Sequence, residues 1–286
     1  MTDLLIEADA LSALIAAEPD ADRVILDCTW HLPESGKQGI DDFRRGHIPG
    51  AQFVDLTEIS DPDTPYVNML PAPERFAAVV AARGICNETE VIVYDSGYVS
   101  ARLWWMFRTF GHDRVRILNG GLRKWIAEDR PVETGEATPV AVRAFKTHPT
   151  PGQVASAEDV LAAIDDGSAT IIDARTAAKF DGQEGSGYPG VASGCMPGAI
   201  NTPWQLFFEP APRHTFITPE EARAVFDARG VDLSRPVLTT CGSGVTACIL
   251  GFMLEAVGHD DWRLYDGSWH EWGQRDELPK RVTPAD

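Results

Sequence analysis

The chain has 286 residues, 44% of them hydrophobic and 24% charged, with 43 acids against 25 bases for a formal net charge of −18. That length suits two domains of about 140 residues, each able to bury a core, and the composition excludes disordered, collagenous and fibrous classes. No apolar run approaches a membrane span, acids stand at the start where a signal peptide wants bases, and no basic run offsets the negative field, so membrane, secretion and nucleic acid are not expected.

In chain order, the apolar spacing predicts a helix over Ala8–Ala17, a strand at Val24–Asp27, a helix at Pro73–Arg83, a strand at Val91–Tyr94, a helix at Ser100–Phe110, a strand at Val115–Leu118 and a helix at Leu122–Glu128. A proline-rich stretch without clear periodicity follows. The pattern then resumes: helix Ala157–Asp165, strand Thr170–Ile172, helix Pro219–Arg229, strand Val237–Thr240, helix Val245–Val257, strand Arg263–Tyr265 and helix Trp269–Gly273. Ser156 and Thr218 stand as N-caps, Pro219 sits at a first helical position, and Gly84 and Gly230 serve as stops. Short buried strands alternating with amphipathic helices predict an α/β class with mainly parallel sheets flanked by helices.

The two halves repeat each other. Gly46-His-Ile-Pro-Gly-Ala51 answers Gly194-Cys-Met-Pro-Gly-Ala199, the segment from Glu74 to Ile85 answers that from Glu220 to Val231, and Gly120-Gly-Leu-Arg-Lys-Trp125 answers Gly267-Ser-Trp-His-Glu-Trp272. Matches in the same order over most of each half point to duplication of one fold. The domains are expected at 1–135 and 153–286, with 136–152 as linker.

Five cysteines, Cys28, Cys86, Cys195, Cys241 and Cys248, form neither a CxxC pair nor a cluster at zinc spacing. No metal is expected, and the sparse set suits a reducing compartment, the cytoplasm, with room for one reactive thiol. Cys241 is the candidate. It follows an apolar strand and precedes a helix, with Gly242-Ser243-Gly244 between them. Glycines that permit positive φ would let successive amide N–H groups turn toward the sulfur, and the helix N-terminus adds partial positive charge, so the turn suits a thiolate or persulfide. A buried structural cysteine beside a tight turn is the alternative. The repeat supplies a control, because the equivalent turn reads Asp95-Ser-Gly-Tyr-Val-Ser-Ala101, with Asp95 in place of the cysteine, so only the second half can be nucleophilic.

The sequence Cys241-Gly-Ser-Gly-Val-Thr-Ala-Cys248 in this duplicated frame, with Trp104-Trp-Met-Phe-Arg108, Asn119-Gly-Gly-Leu-Arg123 and Pro197-Gly-Ala-Ile-Asn-Thr-Pro-Trp204, resembles the tandem rhodanese sulfurtransferases, with a loop like that of the 3-mercaptopyruvate type. The resemblance implies two rhodanese-like domains, the first inactive, and a ping-pong transfer through a Cys241 persulfide. It implies no cofactor, a small sulfur donor, and a thiol or cyanide-like acceptor. A persulfide carrier that delivers sulfur only to a docked protein acceptor is the alternative. The neutral loop would suit thiosulfate poorly, and without an arginine it would not suit phosphate chemistry. Cys248 reads as a core residue, with a resolving thiol as the lesser reading.

The donor side departs from the family. Relatives carry arginines in the segment before the second Pro-Gly-Ala motif; here that segment reads Lys179-Phe180, Gly187-Tyr188-Pro189 and Gly194-Cys-Met-Pro-Gly198. Tyr188 thus takes an arginine position, Cys195 takes the motif histidine, and Lys179 keeps charge without a bidentate fork. The family's acid and histidine in the first domain fall on Thr57 and Asn68. The expected site is therefore Cys241 as nucleophile, a loop of Gly242, Ser243, Gly244, Val245 and Thr246, and Lys179, Tyr188, Asn68, Cys195 and Trp30 around the donor. His270 could face the cleft, with a surface helix residue as the leading reading.

Overall fold

The computed structural model describes residues 4–18, 21–211 and 213–282. The chain divides into two compact units, one built mainly on the residues up to Thr150 and the other on those from Pro151. Two arms are exchanged: Asp63–Met69 belong with the second unit and Glu209–Phe216 with the first.

Each unit holds a five-stranded parallel sheet. In the first, β1 (Leu5–Ile6), β2 (Arg23–Asp27), β3 (Gln52–Phe53), β4 (Glu90–Tyr94) and β5 (Val115–Leu118) run in the order β1-β5-β4-β2-β3. In the second, β6 (Val154–Ala155), β7 (Thr170–Asp173), β8 (Ile200–Asn201), β9 (Val237–Thr240) and β10 (Trp262–Tyr265) repeat it as β6-β10-β9-β7-β8. Successive residues of a strand face opposite sides, and both β9 and residues Val91–Tyr94 of β4 are buried throughout, so each sheet is covered on both faces. That burial is why these central strands read as unbroken apolar runs.

The interior strands match their predicted positions to within one residue at each end. The edge strands β1, β3, β6 and β8 have two residues each, too few to carry a period. All the predicted helices form, joined by three short ones over Gly39–Arg45, Leu56–Ile59 and Ala177–Phe180. Their ends follow local chemistry. Ser156 accepts the Asp159 N–H while the Asp159 carboxylate accepts from Ser156, and Thr218 and Glu221 repeat this box ahead of Pro219. Gly84 and Gly230 both stop their helices at φ +75.

The proline-rich stretch is held against the first unit. Glu133 bridges to His47, Gln52 Nε2 donates to the Thr138 carbonyl, Arg143 N–H donates to Ala81 and His148 N–H to Phe110. Phe145 is buried among Phe76, Phe107 and His112.

The last residue of β2 and its counterpart in β7 show how the copies diverged. Asp173 is buried and receives the Arg175 guanidinium as a fork, Nε at 3.0 Å and Nη2 at 2.6 Å from Oδ2. Asp27 is 1% exposed, and Thr29 stands where the second copy has arginine; Asp27 Oδ1 accepts the Thr29 N–H at 2.8 Å, and no guanidinium fork faces the carboxyl. Burial pushes the Asp27 carboxyl up to about 6 from 3.8. The fold therefore favours protonated Asp27, a contribution fully present below about pH 4 and lost as pH rises through about 6. Asp27→Asn keeps the acceptor for Thr29 and removes the ionisation. We expect it to stabilise the first unit by about 3 kcal/mol at neutral pH and to lose that advantage progressively toward pH 4. Urea unfolding of both proteins across this range checks the prediction, and a difference independent of pH would contradict it.

Candidate active site

The turn after β4 displays what this backbone does to an anionic side chain. The Asp95 carboxylate is buried and accepts backbone N–H groups from Gly97 at 2.6 Å, Ser100 at 2.5 Å and also Val99. Burial pushes this carboxyl up while those N–H donors pull it down. The first copy is thus an amide cradle filled by its own side chain.

In the second copy Cys241 follows β9 and is 2% exposed. Ser243, Val245 and Thr246 occupy the positions of Gly97, Val99 and Ser100, and their backbone N–H groups meet no acceptor among the described residues. The helix begins at Ala247, two residues later than the sequence pattern suggests, and Thr246 at its N-cap makes no side-chain cap. The open first turn therefore adds its partial positive charge to the loop. Of the two glycines expected to turn the backbone, only Gly244 is left-handed, at φ +76. Gly242 is not left-handed, and its absent side chain leaves room for the ring of Tyr188, 3.6 Å from where a Cβ would stand.

Ser268 ties the loop from behind. Its Oγ accepts the N–H groups of Cys241 and Gly244, both at 3.1 Å, and donates to the Tyr265 carbonyl at 2.9 Å. The next two residues continue the seam, Trp269 N–H on the Cys241 carbonyl at 2.9 Å and His270 N–H on that of Gly242 at 2.8 Å. The Trp269 ring lies 4.5 Å from the Arg175 guanidinium, joining the Asp173 pair to this seam. Ser268 holds φ +48, a conformation that costs a non-glycine residue about 1–2 kcal/mol. Its counterpart Gly121 has φ +54 and no room for a side chain, since a Cβ would fall 2.2 Å from the Asp95 carbonyl. Sequence reasoning missed Ser268; the signal was there in the repeat, where Gly-Gly-Leu in one copy faces Gly-Ser-Trp in the other.

The residues expected around the donor separate into two groups. Asn68, on the exchanged arm and left-handed at φ +60, donates from Nδ2 to Ser243 Oγ at 3.1 Å. Tyr188 lies on Gly242, and Lys179 places Nζ 3.1 Å from the Cβ position of the neighbouring Gly187, with no ion pair among the described residues. These three are brought to the loop or beside it. Cys195 is not: it is fully buried in the core of the second unit, its backbone bridged to Arg281, and burial pushes its thiol up. Sequence position placed it in the donor segment, but its side chain points into the core. Trp30 is buried and belongs to the first unit. Thr57 also lies in the first unit, with its hydroxyl on Asp55. Cys248 is buried, its Sγ on the Gly244 carbonyl at 3.2 Å, and Cys28 is buried with Sγ on the Tyr94 carbonyl.

His270 departs from the expectation of a surface residue. It is 8% exposed, packed edge to face with Tyr188 at 4.8 Å and with Tyr66 at 6.2 Å. Among the described residues no group of His, Cys, Asp and Glu side chains could hold a metal ion, and no helix is long and apolar enough to cross a membrane.

A model of the rhodanese-like domain matches residues 7–128 and again 156–275. The chain belongs to the rhodanese family. It is a sulfurtransferase with two rhodanese domains in tandem, and the repeated sheet order is the structural form of that duplication. Human 3-mercaptopyruvate sulfurtransferase is 37% identical over 272 residues, covering 94% of this chain and 90% of that protein. The corresponding Escherichia coli K12 enzyme is 38% identical over 263 residues, 91% and 92% of the two chains. The crystal structure of the 3-mercaptopyruvate sulfurtransferase SseA from Escherichia coli superposes with a TM-score of 0.84 at 35% identity, covering 93% of this chain and 98% of that one.

Because Ser268 accepts both loop N–H groups, Ser268→Gly removes the hydroxyl while relieving the strained φ. We expect it to slow sulfur loading at least about tenfold, with a stability change of about 1–3 kcal/mol from the two orphaned donors. Stopped-flow measurement of loading with equilibrium unfolding in parallel checks this; an unchanged loading rate would show that the hydroxyl is dispensable.

Proposed function

We propose that this sulfurtransferase moves a sulfane sulfur from a small thiol-type donor, through a persulfide on Cys241, to a nucleophilic acceptor, and that its donor recognition differs from that of its 3-mercaptopyruvate-using relatives. The observation that carries the reading is the cradle. Its first copy satisfies a buried carboxyl with three backbone donors that oppose the upward push of burial, and the second copy repeats the turn with a thiol in that place and leaves the equivalent N–H groups without an acceptor among the described residues. In the first half-reaction the Cys241 thiolate attacks the donor sulfur. The bond between that sulfur and the rest of the donor breaks, the departing portion takes the electron pair and a proton, and Cys241 keeps the sulfur. An acceptor thiolate or cyanide then attacks the outer sulfur, the S–S bond breaks, and the thiolate returns.

Altered recognition is supported by what flanks the loop. Tyr188 lies on Gly242, where a guanidinium fork would suit a carboxylate, and Lys179 offers a point charge beside Gly187. Asn68 bonds to Ser243 with an amide, a group that donates an N–H but does not ionise near neutral pH. The neutral loop leaves the paired oxygens of thiosulfate unbalanced. A protein acceptor would meet the same chemistry at the outer sulfur.

Cys241→Ser is expected to abolish turnover with cyanide or dithiothreitol as acceptor, while Cys248→Ser and Cys28→Ser retain most of it. A single stoichiometric transfer without turnover would favour a carrier instead. On a donor panel of 3-mercaptopyruvate, thiosulfate and glutathione persulfide, Tyr188→Arg is expected to raise kcat/KM for 3-mercaptopyruvate by about one to two decades. Equal efficiency of the two proteins would show that carboxylate recognition does not pass through this position.

A further inference from the structure

His270 is a titratable side chain beside the loop that the transfer chemistry above does not use. Its backbone N–H is bonded to the Gly242 carbonyl, and its ring meets Tyr188, which itself lies on Gly242. The tautomer is set by its neighbours. Val67 on the exchanged arm donates its backbone N–H to Nδ1 at 3.4 Å, and the Gln274 amide Nε2 stands 3.2 Å from the same atom. A backbone N–H only donates, so Nδ1 is the acceptor and the ring proton resides on Nε2. Nε2–H has no acceptor among the described residues. Burial pushes the imidazole below its ordinary value, which keeps the ring neutral near neutral pH.

The surroundings fit a recognition role. Cys241 and Ser243 are buried, whereas Gly242, Tyr188 and Tyr66 are each partly open, so the Gly242 side is one place where the enclosure of the loop thins. Both tyrosine rings pack edge to face on the imidazole there, fixing its plane. A neutral N–H in a fixed orientation is a directional donor for one oxygen. It differs from a guanidinium, which presents two parallel donors and a full charge.

We propose that His270 is a specificity-determining residue, whose Nε2–H donates to an oxygen of the organic portion of the sulfur donor while that donor's sulfur meets Cys241. The proposal rests on the sulfurtransferase reading above. It selects donors that carry a carbonyl or carboxylate oxygen close to the sulfur, recognised by one neutral hydrogen bond, over donors made of sulfur alone.

The test compares 3-mercaptopyruvate with inorganic polysulfide, which has no oxygen, in the unsubstituted protein, His270→Phe, His270→Gln and Gln274→Leu. His270→Phe keeps a ring against the tyrosines and removes the N–H; it should raise KM for 3-mercaptopyruvate at least about tenfold, with a far smaller change in kcat and in polysulfide loading. His270→Gln restores an amide N–H and should recover part of the loss. Gln274→Leu frees Nδ1 from one neighbour and should give a weaker, equally donor-selective loss, which keeps the proposal testable if the phenylalanine variant does not fold. An equal loss with both donors would mark His270 as structural and overturn the proposal, as would an unchanged KM for 3-mercaptopyruvate in His270→Phe. Failure of both donors to load sulfur on Cys241 of the unsubstituted protein would instead overturn the sulfurtransferase reading itself.

Discussion

The structure depends on one backbone arrangement: the turn after the central strand of a parallel sheet, where amide N–H groups converge on a single side chain. A parallel sheet brings the carboxyl ends of its strands to one edge, and the helix that follows presents its unbonded first turn at the same place. An anionic group there can be hydrogen-bonded by backbone N–H groups without any cation. The chain builds this arrangement twice and fills it in two ways, with the Asp95 carboxylate in one copy and the Cys241 thiol in the other. In the first copy the cradle is saturated by its own residue. In the second the equivalent donors meet no acceptor among the described residues.

The rest of each unit diverges around that difference. The second copy adds Arg175 to the buried Asp173, lays the guanidinium against Trp269, and uses the seam from Trp269 to hold the Cys241 carbonyl. It also replaces a left-handed glycine with Ser268, accepting strained backbone in return for a hydroxyl that satisfies two loop N–H groups. The first copy lacks the arginine and leaves Asp27 buried without a counter-charge. The first copy has the same sheet order and a filled cradle, without the groups that brace the turn at Cys241.

Much of this was legible in the residues. The central strands are buried on both faces, so their apolar runs stand out, and capping chemistry at Ser156 and Thr218 marks two helix starts directly. The contrast between Asp95 and Cys241 is a sequence observation that singles out the copy proposed to react. What escaped depends on direction or on distant contact. Cys195 occupies a donor-segment position, yet the bridge to Arg281 turns its side chain into the core. His270 lies on a short helix whose pattern says nothing of an arm some two hundred residues away, and Val67 and Tyr66 on that arm define its surroundings. The two-residue edge strands were invisible because pairing, rather than any local preference, makes them strands.

The central claim is that the amide cradle of the second copy makes Cys241 the residue that carries sulfur. Intact-protein mass spectrometry after exposure to a persulfide donor, followed by peptide mapping under non-reducing conditions, tests it most directly. The account predicts one added sulfur atom, located on Cys241. Sulfur mapped instead to Cys86, Cys195 or Cys248, or its retention in Cys241→Ser, would contradict it.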